Sequence, residues 1–177
     1  MSIFDMLKNP ALLDLIKDQH LKEIVTRREV RVSQDYFHRE LIARAMDEEI
    51  HELSMKFYDG YGEISGKVKK KLIPFSIPFS ARFGVERIFF TPKEKMIFLK
   101  IEEVKPVDVD FVTRKVVEKI PFLSYCEGTI ACDLTQVPEL QKFLAYNING
   151  IKVCDFLTIK ELLFREGEMI GRLGLCL

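Results

Sequence analysis

Side chains able to do acid–base, nucleophilic or metal chemistry are few in this chain and poorly spaced for it. His20, His38 and His51 are its only histidines. No two of them stand at the i, i+4 spacing that brings a pair of imidazoles onto one helix face around a metal. His38 and His51 lie among glutamates, where surface ion pairs are expected. Cys126, Cys132, Cys154 and Cys176 include no Cys-x-x-Cys pair, so they match neither a zinc ribbon nor a dithiol redox motif. They read as reduced, mostly buried thiols. Cys126, beside Tyr125 and Glu127, would act as a nucleophile only if the fold delivered a histidine to it. The acids Asp47, Glu48, Glu49 and Glu52, and Asp108 with Asp110, lack the glycine-punctuated loop that wraps a hard cation. They read as helix ends and solvated faces. No catalytic residue, metal ligand or cofactor is expected.

The densest basic cluster is Lys67, Lys69, Lys70 and Lys71. Near an anionic surface each basic side chain is worth about 1 kcal/mol, so this cluster, extended by Arg82 and Arg87, could hold a lipid headgroup or a membrane surface. Lysines also blunt sheet edges against aggregation, which is the purely structural reading of the same residues. Lys plus Arg equals Asp plus Glu at 27 each, so there is no global field for a nucleic-acid backbone, and nucleic acid is not an expected partner. The N-terminal Ile3, Phe4, Met6 and Leu7 could touch a membrane or a partner, or pack back onto the domain. Apolar stretches fall well short of the roughly 20 residues that span a bilayer, and no basic region followed by an apolar one opens the chain. A cytoplasmic protein is expected, with peripheral contact its nearest approach to a membrane.

The elements that must position these residues are legible from periodicity. A length of 177 residues with 47% hydrophobic and 31% charged residues suits one globular domain. Asn9-Pro10 opens a helix carrying Leu12, Leu13, Ile16, Leu21, Ile24 and Val25, with a break near Gln19-His20. After a short extended Val30-Arg31-Val32, Ser33 caps a second helix through Phe37, Leu41 and Ala45 that ends near residues 47–49. The period then changes to two. Leu53, Met55 and Phe57 lead to the turn Asp59-Gly60. Ile73, Phe75, Ile77, Phe79, Ala81, Phe83 and Val85 alternate against Pro74, Ser76, Pro78, Ser80, Arg82, Gly84 and Glu86, which predicts one long strand with an apolar face. Upstream, Ile64 and Val68 have the opposite parity, so a bulge or bend near Leu72-Ile73 is expected to switch register. The prolines place this stretch at an edge or where pairing is interrupted.

Residues 88–91 and 96–101 read as a further hairpin around Pro92 to Lys95, with Ile97, Leu99 and Ile101 on one face. Asp108 is placed to cap a helix carrying Val109, Val112, Val116 and Ile120, which Pro121 stops. A strand over 129–133, a helix over 136–146 ending at Asn149-Gly150, and a hairpin over 151–177 turning at Glu166-Gly167 complete the chain.

Two segments resemble one another: Gly62-Glu63-Ile64-Ser65-Gly66-Lys67-Val68 and Gly167-Glu168-Met169-Ile170-Gly171-Arg172-Leu173. A helix and a strand precede each, which suggests a helix-then-hairpin unit used twice. The paired glycines predict close packing of each strand against a helix.

A helix, a strand ending in an acid-glycine turn, and a strand of the form Gly-x-Ile-x-Gly-x-Val together resemble the bacterial members of the tubular lipid-binding (TULIP) superfamily. The likeness is stronger over 34–104 and weaker over 127–177. It implies a curved antiparallel sheet around a long helix, binding an acyl chain or other apolar ligand without doing chemistry on it.

The expected fold is therefore α+β, a strongly twisted antiparallel sheet wrapped around one or two helices. It is expected as a single domain over 1–177, with a helical extension (1–30), a first helix-plus-meander unit (31–104) and a shorter second unit (105–177). The leading expectation is a non-enzymatic binder of a hydrophobic or lipid-like ligand, working at a membrane surface. Phe75, Ile77, Phe79, Phe83, Ile97, Leu99 and Ile101 would line the site, and Lys67, Lys69, Lys70 and Lys71 would meet headgroups. The alternative is a structural or protein-interaction module with a filled core and no ligand.

Overall fold

The computed structural model describes residues 19–105 and 109–176. Helix α1, Gln19–Arg27, ends where Arg28 turns to a positive φ of 59° and leads into β1, Glu29–Ser33. The earlier part of the predicted first helix, the apolar residues from Ile3 to Leu7 and the cap assigned to Asp108 lie outside the described residues. Ser33 caps the next helix as its type predicts: its Oγ accepts from the Tyr36 N–H at 3.3 Å. The segments Gln34–Phe37, His38–Ile42 and Ala43–Ala45 form one continuous helical run, α2, whose middle part is π-helical.

The body of the fold is a six-stranded antiparallel sheet in the order β2-β3-β4-β5-β7-β6. Its strands are β2 (Ile50–Tyr58), β3 (Tyr61–Val68), β4 (Ile77–Phe90), β5 (Lys95–Lys105), β6 (Leu123–Cys126) and β7 (Thr129–Asp133). Helix α3, Val109–Val117, lies between β5 and β6 in sequence. Helix α4, Pro138–Ala145, follows β7. A two-stranded ribbon of β8 (Asn147–Ile148) and β9 (Ile151–Lys152) then leads to the long hairpin of β10 (Leu157–Arg165) and β11 (Glu168–Leu175). β1 joins that hairpin to make a second sheet, β1-β11-β10. The architecture is α+β, with antiparallel sheets closing on the helices.

Alternation decides which face of the large sheet is buried. Leu53, Phe57, Val68, Phe79, Phe83 and Ile97 are all buried. One end of this inner face packs with α2 and α3 through Ile42, Ala45 and Val112. The other end meets α4 and β10 through Phe90, Leu134 and Leu157. Between them Phe164 of β10 sits 5.3 Å from the Phe57 ring and 5.6 Å from the Phe83 ring. The opposite face carries a polar ladder in which Arg82 stacks on Tyr61 at 4.8 Å and pairs with Glu63 and Glu103.

Two sequence expectations change here. The strand predicted from Ile73 begins at Ile77, because β3 and β4 are antiparallel neighbours joined by a loop over 69–76, and a chain reversal changes parity without a bulge. Register shifts occur instead between Arg82 and Phe83, between Val85 and Arg87, and between His51 and Ser54. Pro78 stands where β4 pairs with β3 alone, since β5 pairing starts at Ser80, the locally one-sided position expected of a proline in a strand.

The close approach at Gly62 is to a ring rather than a helix: a Cβ there would lie 2.3 Å from Phe83 Cζ on the neighbouring strand. In the second hairpin Gly167 occupies the turn with φ 77°, as Gly60 does in the first with φ 92°. The residues that match in sequence, Gly62 and Gly167, therefore sit at different points of their hairpins.

Candidate functional site

The loop over 69–76 has a fixed base and an apolar tip. At the base the Lys69 N–H donates to the Glu49 carbonyl at 2.7 Å, and Ser76 Oγ lies 3.0 Å from His51 Nε2. A turn closes within the loop, where the Ile73 N–H donates to the Lys70 carbonyl at 3.0 Å. Leu72 at the tip is 97% exposed, and Phe75 is 66% exposed. Single exposed apolar residues are ordinary. Two of them on one protruding loop, with Lys69 and Lys71 exposed beside them, form a composite of apolar tip and basic collar.

The fold adds basic groups from far along the chain. The Lys70 ammonium lies 4.9 Å from the centre of the Phe111 ring on α3, and the Lys115 ammonium 5.8 Å from the same ring. Lys115 also pairs with Glu49 at 2.8 Å, which holds its pKa above the ordinary lysine value. Just past α3, Lys119 binds the Asp47 carboxylate and the Ala45 carbonyl. The Lys119 bond and the Ile50 N–H lower the pKa of Asp47 to about 2. Lys67 stands apart, paired with Glu52 at 2.6 Å on the adjoining strand. Arg82 and Arg87 are engaged elsewhere, Arg82 in the polar ladder and Arg87 over the Phe98 ring at 4.6 Å.

Beneath α3 lies a partly open cavity of about 50 Å³. The sheet supplies Ile64, Phe79, Ala81, Phe83, Ile101 and Val104, and the helix supplies Val112, Val116 and Val117. Every lining side chain but Thr113 is apolar. Ile101 and Val104 also wall an open groove of about 330 Å³, whose rim includes Glu102, Glu103, Asp110 and Glu127. There Tyr125 donates its hydroxyl to Asp110 at 2.5 Å, and burial followed by that carboxylate raises the phenol pKa.

Of the residues expected to line a ligand site, Phe79, Phe83 and Ile101 meet in this cavity. Ile77 packs beside Val68 and Phe79, Ile97 against Phe90 and Leu157, and Leu99 between the clusters. Phe75 is corrected from wall to exposed loop, because pairing with β3 begins only at Ile77, two residues after it. The site also includes Leu72, Phe111, Lys115 and Lys119, which were not among the expected residues. Leu72 carried a signal, an apolar residue between a lysine run and a proline; the other three carried none, being brought in by α3. Of the thiols expected to be mostly buried, only Cys154 is; Cys126 is exposed and Cys132 and Cys176 are half-buried. Among the described residues no three His, Cys, Asp or Glu side chains gather as metal ligands, and no helix is long and apolar enough to cross a membrane.

Compared with protein-family models, curated proteins and solved structures, the chain matches none.

Proposed function

We propose that this protein is a non-enzymatic lipid-binding module that docks on an anionic membrane surface through the loop over 69–76. The observation that carries this reading is the exposure of Leu72 and Phe75 on a loop whose base is hydrogen-bonded and whose flanks are lysines. In water those two side chains forgo about 1.5–3 kcal/mol each relative to full burial. A lipid interface recovers part of that while Lys69, Lys70 and Lys71 meet phosphates at about 1 kcal/mol apiece.

Co-sedimentation with phosphatidylglycerol and with phosphatidylcholine vesicles tests it. Binding should favour the anionic vesicles and weaken towards 1 M salt, where charges are screened within about 3 Å. Changing Lys69, Lys70 and Lys71 together to glutamine should lower partitioning roughly 100-fold, from about 3 kcal/mol of lost attraction. Leu72→Ser with Phe75→Ser should weaken binding at every salt concentration. Wild-type protein that ignores both vesicle types overturns the reading and points to a protein partner.

A further inference from the structure

We propose that β1 is a self-association edge: two copies of this chain pair through it, antiparallel about a two-fold axis at Val30, and their β1-β11-β10 sheets join into one. This goes beyond the docking reading and does not depend on it.

The edge is singled out by how the others are closed. On β2 the side chains of Gln34 and His38 meet the backbone of Phe57 and Met55, β6 is four residues long, and β10 carries a register shift between Ile159 and Glu161. Among the described residues β1 has neither closure nor bulge. It pairs residue for residue with β11 from Glu29 to Ser33, and with no other strand. Its ends fix which groups point outward: the Arg28 carbonyl accepts from the Leu173 N–H at 2.8 Å, and the Gln34 N–H donates to the Gly167 carbonyl at 2.9 Å. Val30 and Val32 between them therefore bond to β11, and the N–H and C=O groups of Glu29 and Arg31 face the open edge.

The occupant follows from the charges. Opposite residues of an antiparallel pair share a face of the sheet, so a two-fold axis between two β1 strands passes through a residue. Placed at Glu29 or Arg31, it sets a charge against itself. Placed at Val30, it sets Glu29 against Arg31 of the second copy and Arg31 against that copy's Glu29, each pair exchanging backbone hydrogen bonds. This continues a row already built. Glu161, Arg172 and Glu29 lie side by side on β10, β11 and β1, with Arg172 2.8 Å from Glu161 and 3.7 Å from Glu29. Arg31 of the second copy supplies the next cation. In its own chain Arg31 uses its two terminal nitrogens, on Glu168 at 2.8 Å and on Glu29 at 3.2 Å. A guanidinium has five N–H donors, so these contacts leave some for a second carboxylate.

Sedimentation velocity of the full chain from about 10 to 500 µM tests this, a range suited to a small interface. A monomer-to-dimer equilibrium is expected. Glu29→Arg and Arg31→Glu each bring like charges together and should weaken dimerisation at least about tenfold. An equimolar mixture of the two variants should dimerise again, because each carries the sign that the other lacks. A second measurement serves if a charge variant fails to fold. With the exposed Cys126 changed to serine, Val30→Cys puts two thiols at the axis, where Cα atoms lie about 4.5 Å apart, within disulfide reach. Mild oxidation should link it at least about tenfold faster than Arg31→Cys in the same background. Wild-type protein that stays monomeric throughout, folded variants that dimerise as the wild type does, a mixture that stays monomeric, or equal linking at both positions overturns the inference. None of these outcomes touches the vesicle assay, so the docking reading stands or falls separately.

Discussion

Among single residues, the cysteines show how environment separates chemically identical groups. Burial pushes the thiols of Cys132 and Cys154 up to about 12, and Cys154 also donates its S–H to the Phe143 carbonyl at 3.2 Å. Cys126 is exposed. The thiolate is the reactive form, so iodoacetamide at mildly alkaline pH should label Cys126 first. Cys132 and Cys154 should react about 100-fold more slowly in the folded protein. Peptide mapping over time measures this; equal rates would mean the two sites open to solvent. Residue type was legible in the sequence, and so was the lack of a redox pair. Exposure was not, because it depends on which strands lie on either side: Cys132 faces β5 and β6 at once.

At the scale of elements, β2 shows a sheet edge closed by side chains. Its Phe57 N–H donates to Gln34 Oε1 at 3.0 Å, and His38 Nε2 lies 2.7 Å from the Met55 carbonyl and 3.1 Å from the Met55 N–H. The second hairpin closes the rest: the Gly167 N–H donates to the Phe57 carbonyl at 3.2 Å and the Gly60 N–H to the Phe164 carbonyl at 3.1 Å. The sequence reading gave His38 a surface ion pair; it is instead a backbone partner for an edge strand, which an open edge would otherwise offer to other chains. His38→Ala leaves the Met55 backbone without this partner and should cost about 1–3 kcal/mol. Urea denaturation measures that; an unchanged midpoint would show that water replaces the imidazole. The loop over 69–76 was misread at this scale because alternation of apolar and polar residues is also what a proline-rich loop can show by composition.

At the scale of the whole molecule, α3 is fastened to the segment before β2 by charge. Lys119 and the Ile50 N–H hold Asp47 at about 2 against an ordinary 3.8. A carboxylate depressed on folding stabilises the folded state above its ordinary value, and this contribution is lost as the pH falls from about 4 through about 2. Asp47→Asn keeps an oxygen acceptor for the Glu49 and Ile50 N–H groups and removes only the charge. It should lower the melting temperature at neutral pH, modestly because the Asp47 side chain is 40% exposed. The difference from wild type should shrink as the pH falls through about 4 and vanish only below about pH 2. A constant difference across that range would assign the effect to the turn rather than to the ion pair.

The sequence by itself determined the α+β class, the hairpin turns at Asp59-Gly60 and Glu166-Gly167, the Ser33 cap and the apolar face shared by Phe79, Phe83 and Ile101. Each is a local property, set by backbone geometry over a few residues, and so is written in periodicity and turn chemistry. Only the tertiary structure decided that Lys70 and Lys115 both approach the Phe111 ring, that α3 roofs a cavity on the sheet, and that Leu72 and Phe75 face water. These depend on where a helix from the middle of the chain comes to rest. That is settled by the fit of whole apolar faces, which no short stretch of sequence contains.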